Sequence, residues 1–446
     1  MPDPSPQLAF TRNIAWIVVA SLLAAVLLSV CLVLVVVAGA RENVISAAVL
    51  LAFAAGAAML AVLSARRSDQ PQRWALIAAR WLALAGAVLV LWPGVVATAA
   101  IAWLAPVLLL ALVVWMTLRV RRELHSRIRP VLIYPLFAGM AGAAFAAGYE
   151  TVRESLDRRA FQMRGQLVDV GGGRRLYLHC TGSGSPTVVL LPGFGETSAS
   201  WGWIAPDVAR DAKVCVFDRA GRGWSDPAPE QQDGIAVATD LHALLTSAGE
   251  APPYVLAGHS LGGLYARVFA ARYPDQTAGV VLLDATDPRQ FTLPAYPRFY
   301  DGHRRRSALF PSLARFGVAR LAYQHAFDSL PGESAAQERL FWSTARMARS
   351  QRDEFAAAPQ AMEQAGTLVT LGDRPLMVVT ALKDALEGWA ALQDDLPKLS
   401  TNSSHWSLAT VTHGSLTGSK TEAAFSSQAI REVVTAVRTS KPLARH

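Results

Sequence analysis

The chain has 446 residues, of which 52% are apolar and 17% charged, with a formal net charge of +8. This length predicts more than one domain, and the apolar share exceeds that of an ordinary soluble globular chain. The positive balance does not point to nucleic acid: much of it sits in short loops between apolar runs, with no aromatic-interleaved basic patch, zinc-type Cys/His spacing or phosphate-cradling loop.

No charge interrupts Ile14 to Ala38, Val44 to Leu63, Trp81 to Leu118 or Val131 to Gly148. Each run approaches or exceeds the roughly 20 residues a helix needs to cross a bilayer. The stretch from Trp74 to Leu118 is too long for one crossing and breaks at Trp92-Pro93-Gly94, which predicts five spans, at 14–38, 44–63, 74–92, 95–118 and 131–148. Ala38-Gly39-Ala40 has the small-x-small form of a signal-peptide cleavage site. The preceding apolar run is longer than the usual ~7–15 residues, so the first span reads as an anchor. This divides the chain into a transmembrane domain at 1–150, a linker at 151–164 and a second domain at 165–446.

Cytoplasmic loops carry the excess of Lys and Arg. Arg66, Arg67 and Arg73 lie between spans two and three, and Arg119, Arg121, Arg122, Arg127 and Arg129 between spans four and five. The turns at Arg41-Glu42-Asn43 and Pro93-Gly94 carry almost nothing. A plasma-membrane protein with its N-terminus inside and everything after Gly148 outside is expected. Arg80, near the start of the third span, reads as snorkelling to the interface.

From about Arg164 the pattern becomes alternating strands and helices, the signature of an α/β domain with a mostly parallel sheet. Eight strands are predicted, at Gln166–Val170, Arg174–Cys180, Thr187–Leu191, Lys213–Phe217, Tyr254–Gly258, Gly279–Asp284, Leu376–Ala381 and His405–Thr412. Helices are predicted near Ala199–Arg210, Ile235–Ala248, Leu261–Tyr273, Leu386–Leu399 and Ala423–Val437. A polar, helix-prone insertion at 288–374 separates the sixth and seventh strands. Within it, His303-Arg304-Arg305-Arg306 reads as a solvated helix face, with contact to anionic lipid heads as the alternative.

The fifth strand runs straight into Gly258-His259-Ser260-Leu261-Gly262, a G-x-S-x-G sequence that opens a helix. A serine thrown onto so sharp a turn sits in strained backbone, and side chains two residues to either side would collide. Such a turn exposes the Ser260 hydroxyl and points the Leu261 amide at the same space. A serine hydroxyl is a poor nucleophile at neutral pH, so it needs a histidine base and an acid to hold that base in the right tautomer.

With these motifs in order the chain resembles the α/β-hydrolase family over roughly Gly165 to Arg438. Leu190-Leu191-Pro192-Gly193-Phe194-Gly195 resembles the family's oxyanion loop, although Pro192 stands where most relatives have His. Phe217-Asp218-Arg219-Ala220-Gly221-Arg222-Gly223-Trp224-Ser225 looks like its glycine-rich loop after the fourth strand. The resemblance implies an eight-stranded sheet with a helical lid, and a triad in the chain order Ser, acid, His. His405, His413 and His446 follow the acid candidates. His446 is expected to be frayed and His405 lies at the wrong end of its strand, so His413 is the expected base. His259 reads as structural. The acid is expected at Asp384, the family's usual position, with Asp284 at the end of the sixth strand as the alternative. The amides of Phe194 and Leu261 are the expected oxyanion donors.

The resemblance implies a membrane-anchored serine hydrolase of carboxylesterase or lipase type acting on a small-molecule or lipid ester. It needs no metal and no organic cofactor. The Ser at position 260 disfavours the dehalogenase and epoxide-hydrolase branches, which use Asp. An acyltransferase or peptidase on the same fold, and an inactive binding or sensory module, stay as alternatives. Aromatics of the insertion (Phe291, Tyr296, Phe299, Tyr300, Phe310, Phe316, Tyr323, Phe327, Phe341 and Trp342) could line an apolar pocket or pack the lid. In this fold the second and fourth strands are antiparallel neighbours, which brings Cys180 close to Cys215 and predicts a disulfide in an oxidising compartment. The alternative is a pair of buried free thiols.

Overall fold

The computed structural model describes residues 6–92, 95–228 and 232–444, which leaves the expected break at Pro93-Gly94 and His446 outside the described residues. It divides into two compact units, one holding the residues up to Leu156 together with Arg305–Val318, the other Asp157–Arg304 and the residues from Ala319 onward.

The first unit is helical: α1 Pro6–Cys31, α2 Glu42–Arg67, α3 Ala75–Leu91, α4 Val95–Glu123 and α5 Tyr134–Ala160. Four segments are long and apolar enough to cross a membrane: Ile14–Val36, Glu42–Arg67, Ala100–Glu123 and Arg129–Ala160. The third expected span is α3, an apolar helix of 17 residues, about 26 Å long at 1.5 Å per residue and at the short end of what crosses a ~30 Å hydrocarbon core. It stops where Trp92, with φ −128° and ψ 69°, precedes a proline that disfavours helical geometry. The expected 151–164 linker is largely helix too, since α5 continues to Ala160.

Small residues let these helices approach: a Cβ on Gly56 would lie 2.6 Å from Ala25 Cβ and 2.8 Å from the Ser21 carbonyl. The two arginine-bearing loops meet at one end. His125 N donates to Gln70 Oε1 at 2.7 Å, and Gln72 Nε2 to the Glu123 carbonyl at 3.0 Å. At the other end, Asn43 Nδ2 donates to the Leu89 carbonyl at 3.1 Å.

The second unit is built on β1 Gln166–Asp169, β2 Arg175–Thr181, β3 Thr187–Leu191, β4 Val214–Phe217, β5 Tyr254–His259, β6 Thr277–Leu283, β7 Leu376–Lys383 and β8 Ser403–Thr412. The sheet order is β1-β2-β4-β3-β5-β6-β7-β8, and only β2 runs antiparallel to the other strands. All of β3 is buried because the sheet is covered on both faces. Val189 and Leu191 enter one core with helices α7 Gly234–Ser247 and α8 Leu261–Arg272, whereas Val188 and Leu190 enter the other with α6 Ile204–Val208 and the last helix, Ala423–Thr439.

The insertion carries α9 Tyr296–Ser307, α10 Phe310–Arg315, α11 Val318–Ala322, α12 Gly332–Trp342 and α13 Ala345–Ala365. After β7 comes α14 Trp389–Asp395, and after β8 α15 Ser415–Gly418 and α16 Ala423–Thr439. Cys180 and Cys215 are register partners on β2 and β4, and they form the expected disulfide.

Candidate active site

Three turns at the carboxyl ends of β3, β5 and β6 converge. Between β5 and α8, Ser260 takes φ 53° and ψ −122°, a region that costs a non-glycine residue about 1–3 kcal/mol. A Cβ on Gly258 would fall 2.4 Å from the Gly262 carbonyl oxygen, and one on Gly262 would fall 2.0 Å from that of Leu191. The turn is tied to the next strand, since Ser260 N donates to the Leu283 carbonyl and Thr286 N to the Ser260 carbonyl, both at 3.0 Å.

His413 follows β8, and its Nδ1 lies 2.6 Å from Oδ2 of Asp284, just past β6. The other oxygen of Asp284 accepts from Ala381 N at 3.1 Å and Trp389 Nε1 at 2.8 Å. The carboxylate on His413 is therefore that of Asp284, not the expected Asp384. The reason is local: β7 runs on to Lys383 through a register shift after Ala381, which leaves Asp384 past the sheet edge and exposed. The segment expected to supply the acid supplies its hydrogen-bond donors instead. Among the described residues no hydrogen bond joins the Ser260 hydroxyl to His413, a contact that unliganded sites often make only with substrate in place. His405 bonds to Thr380 Oγ1 at 2.8 Å, away from this group.

The oxyanion loop is held from below. Arg219 donates to the carbonyls of Pro192 at 2.5 Å and Gly193 at 2.7 Å. Because the peptide is trans and planar, turning the Gly193 carbonyl toward Arg219 turns the Phe194 N–H the opposite way. Among the described residues, the amides of Phe194 and Leu261 donate to no side chain or loop carbonyl. Arg219 and Arg222 share one counterion, Glu354 of α13, which also accepts from the Tyr265 hydroxyl at 3.1 Å. All four side chains are buried.

His259 is buried, with Nε2 3.0 Å from the His413 carbonyl and Nδ1 3.3 Å from the Glu196 carboxylate. Burial opposes its charged form, but Glu196 outweighs burial and raises its pKa; Glu196 is correspondingly lowered despite burial, by His259 and by the Gly193 N–H. The imidazole thus braces the backbone of His413 rather than facing substrate. Glu338 of α12 accepts from Thr197 N at 3.1 Å and Thr197 Oγ1 at 2.8 Å, and burial pushes its pKa up to about 8. Sequence reasoning did not single out Glu196, Glu338 or Glu354. Glu338 and Glu354 lie far in sequence from their partners, as Glu196 does from His259, and only the two arginines sat inside a recognisable motif.

The one grouping of His, Cys, Asp and Glu compact enough for a metal among the described residues is Cys180, Cys215 and Glu250. Its sulfurs are bonded to each other and leave no thiolate. Of the insertion's aromatics, Phe291, Tyr296, Tyr300 and Phe355 pack together and Phe355 touches Phe194, with ring centroids 4.9 to 5.3 Å apart. Phe310 and Phe316 fall in the helical unit and are exposed.

A family model described as the alpha/beta hydrolase fold matches residues 186–415. An uncharacterised protein of Schizosaccharomyces pombe is 29% identical over 279 residues, 54% of this chain and 50% of its own length. The chain spans about half the length of the first curated relatives it matches. Among solved structures, one from Salmonella enterica, provisionally assigned as an acyltransferase, aligns with TM-score 0.50 and 19% identity over 61% of this chain and 95% of that one. A thermophilic esterase from Thermogutta terrifontis aligns with TM-score 0.48 and 22% identity over 62% and 99%.

Proposed function

The chain belongs to the α/β-hydrolase family by its match over residues 186–415, and on that premise we propose that it is a membrane-anchored serine hydrolase cleaving an ester through Ser260, His413 and Asp284. The observation that carries this reading is the Asp284–His413 contact at 2.6 Å, on the sheet edge where the strained Ser260 turn is hydrogen-bonded to the end of β6.

In this mechanism Ser260 Oγ attacks the ester carbonyl carbon while His413 Nε2 takes its proton. Asp284 holds the opposite nitrogen protonated and stabilises the imidazolium. The carbonyl electrons move onto the oxygen, where the Phe194 and Leu261 amides receive it, each worth about 3–4 kcal/mol in the barrier. Collapse expels the alcohol, which takes the proton from His413, and leaves an acyl-serine. Water, deprotonated by His413, then attacks the acyl carbon, and the second collapse returns the proton to Ser260 and releases the acid.

Anchoring is supported by the four long apolar helices. The orientation with the hydrolase unit outside is supported by the arginine loops meeting at one end of the bundle and by a disulfide suited to an oxidising compartment. The same pairing of loops puts the start of α3 and the end of α4 together, so the shorter α3 returns the chain across the bundle as a fifth span would.

The test is labelling of the membrane fraction with a serine-reactive fluorophosphonate, alongside turnover of an ester series graded by acyl length. Ser260→Ala should abolish both while the protein still accumulates. Turnover that survives in that variant would refute the assignment, and a wild-type chain that neither labels nor turns over would favour an inactive binding module.

A further inference from the structure

Residues Arg305–Val318 lie in the middle of the insertion that separates β6 from β7, yet they belong to the compact unit of the apolar helices. Two contacts fix their level on that unit. The Arg315 guanidinium makes a two-point ion pair with Glu42, the first residue of α2, one arm of it at 3.2 Å. A Cβ on Gly317 would fall 2.9 Å from Glu150 Oε1, two residues beyond the uncharged run that ends at Gly148. Both acids mark where an apolar helix meets its polar end. This is the end opposite the arginine-rich loops.

The segment's own polarity is inverted for a water-facing element. Pro311, Ala314 and Gly317 turn inward. Phe310, Leu313, Phe316 and Val318 turn outward with 37 to 45% of their surface exposed, and the exposed Arg305 and Arg306 precede them. Large apolar side chains rimmed by arginines, on a short helix at the level where spanning helices end, match the headgroup layer of a bilayer. There the rings reach the acyl boundary and guanidinium groups meet lipid phosphates.

We infer that residues 305–318 form an interfacial element that inserts Leu313 and Phe316 into the lipid surface on the side of the membrane opposite the arginine-rich loops. This rests on the reading of the apolar helices as membrane spans. It makes the insertion partly membrane-embedded and a membrane-resident ester the natural substrate of the proposed hydrolase. A soluble lid of this kind would instead turn its aromatic residues inward.

The test is site-directed nitroxide labelling of the full-length chain in phosphatidylcholine–phosphatidylglycerol nanodiscs, with accessibility to O2 and to water-soluble nickel-EDDA read by power saturation. In a Cys31→Ser background, labels at Leu313→Cys and Phe316→Cys should give an O2-to-nickel ratio several-fold above that at Val369→Cys, an 80% exposed position in the other unit. A ratio equal to the Val369→Cys reference overturns the inference, as does shielding from both reagents, which would mean a protein partner or a second copy. Wild-type protein labelled at its free, exposed Cys31 separates the two readings. A lipid-shielded Cys31 beside water-exposed 313 and 316 labels defeats the interfacial element alone, and a water-exposed Cys31 defeats the membrane reading and the inference together.

Discussion

Replacing Asp284 by Asn tests the proposed triad at its most specific point. Asp284 Oδ1 accepts from two fixed donors, Ala381 N and Trp389 Nε1, while Oδ2 faces His413 Nδ1. An asparagine that turned its NH2 toward the two donors would forfeit two buried hydrogen bonds, at about 1–3 kcal/mol for each group left unsatisfied. Its carbonyl oxygen therefore stays at the Oδ1 position and its NH2 is directed at His413. Nδ1 must then accept, the imidazole proton moves to Nε2, and Nε2 can no longer take the Ser260 proton. A wrong-tautomer triad loses about 10⁴ in kcat, equivalent to about 5.4 kcal/mol in the barrier, with KM little changed. Turnover of a chromogenic ester by purified full-length protein measures the loss, and the rate of fluorophosphonate labelling should fall in parallel. Asp384→Asn, at an exposed position past β7, should stay near the wild-type rate. An Asp284→Asn enzyme within tenfold of wild type, or an Asp384→Asn enzyme that is the dead one, would refute the reasoning.

His413→Ala should be as inactive as Ser260→Ala in the same assay, because members of one catalytic unit are non-additive. Glu354→Ala leaves the buried Arg219 and Arg222 without their counterion and should destabilise the hydrolase unit by about 3–5 kcal/mol in denaturant melts, with ester turnover falling as the oxyanion loop loosens; unchanged melting would contradict the network. Thiol counting on unreduced protein should find one free cysteine, Cys31, and reduction of the Cys180–Cys215 bridge, with partners 35 residues apart, should cost about 3–4 kcal/mol. For Glu338, burial raises the folded pKa to about 8 from 4.5. The native state thus binds more protons across that window, and stability falls as pH rises through it. Glu338→Gln should flatten the decline in melting temperature between pH 6 and 8.5, and an unaltered slope would show that another group is responsible.

Most of the sheet was legible because a strand buried on both faces reads as an uninterrupted apolar run. Thr187–Leu191 and the core of the Tyr254 strand fall where the runs place them. The Ser260 turn was legible for a steric reason, since glycines at 258 and 262 are needed wherever carbonyls approach within 2.0 to 2.4 Å of a would-be Cβ. The acid was not. Asp284 and Asp384 both follow parallel strands, both take a positive φ, and no local pattern records that β7 runs four residues past Val379, the partner of the last residue of β6, before turning. Nor does sequence show that a fourteen-residue piece of the insertion sorts with the membrane helices, because that depends on Glu42 and Arg315, which are 273 residues apart.

The contact of His413 with a carboxylate just past β6 also sets rules for rebuilding the proposed triad. With Asp284 and its turn complete before Pro288, the insertion could be exchanged as a cassette without cutting through the triad. Any donor cassette would still have to bring a carboxylate to the place of Glu354, or be paired with neutral residues at 219 and 222, and would need a partner for Thr197 in place of Glu338. The short loop from Lys383 to Gly388, outside the proposed triad and exposed throughout, is the better place to randomise. Diversity there varies the rim of the site while leaving the donors at Ala381 and Trp389 to the acid.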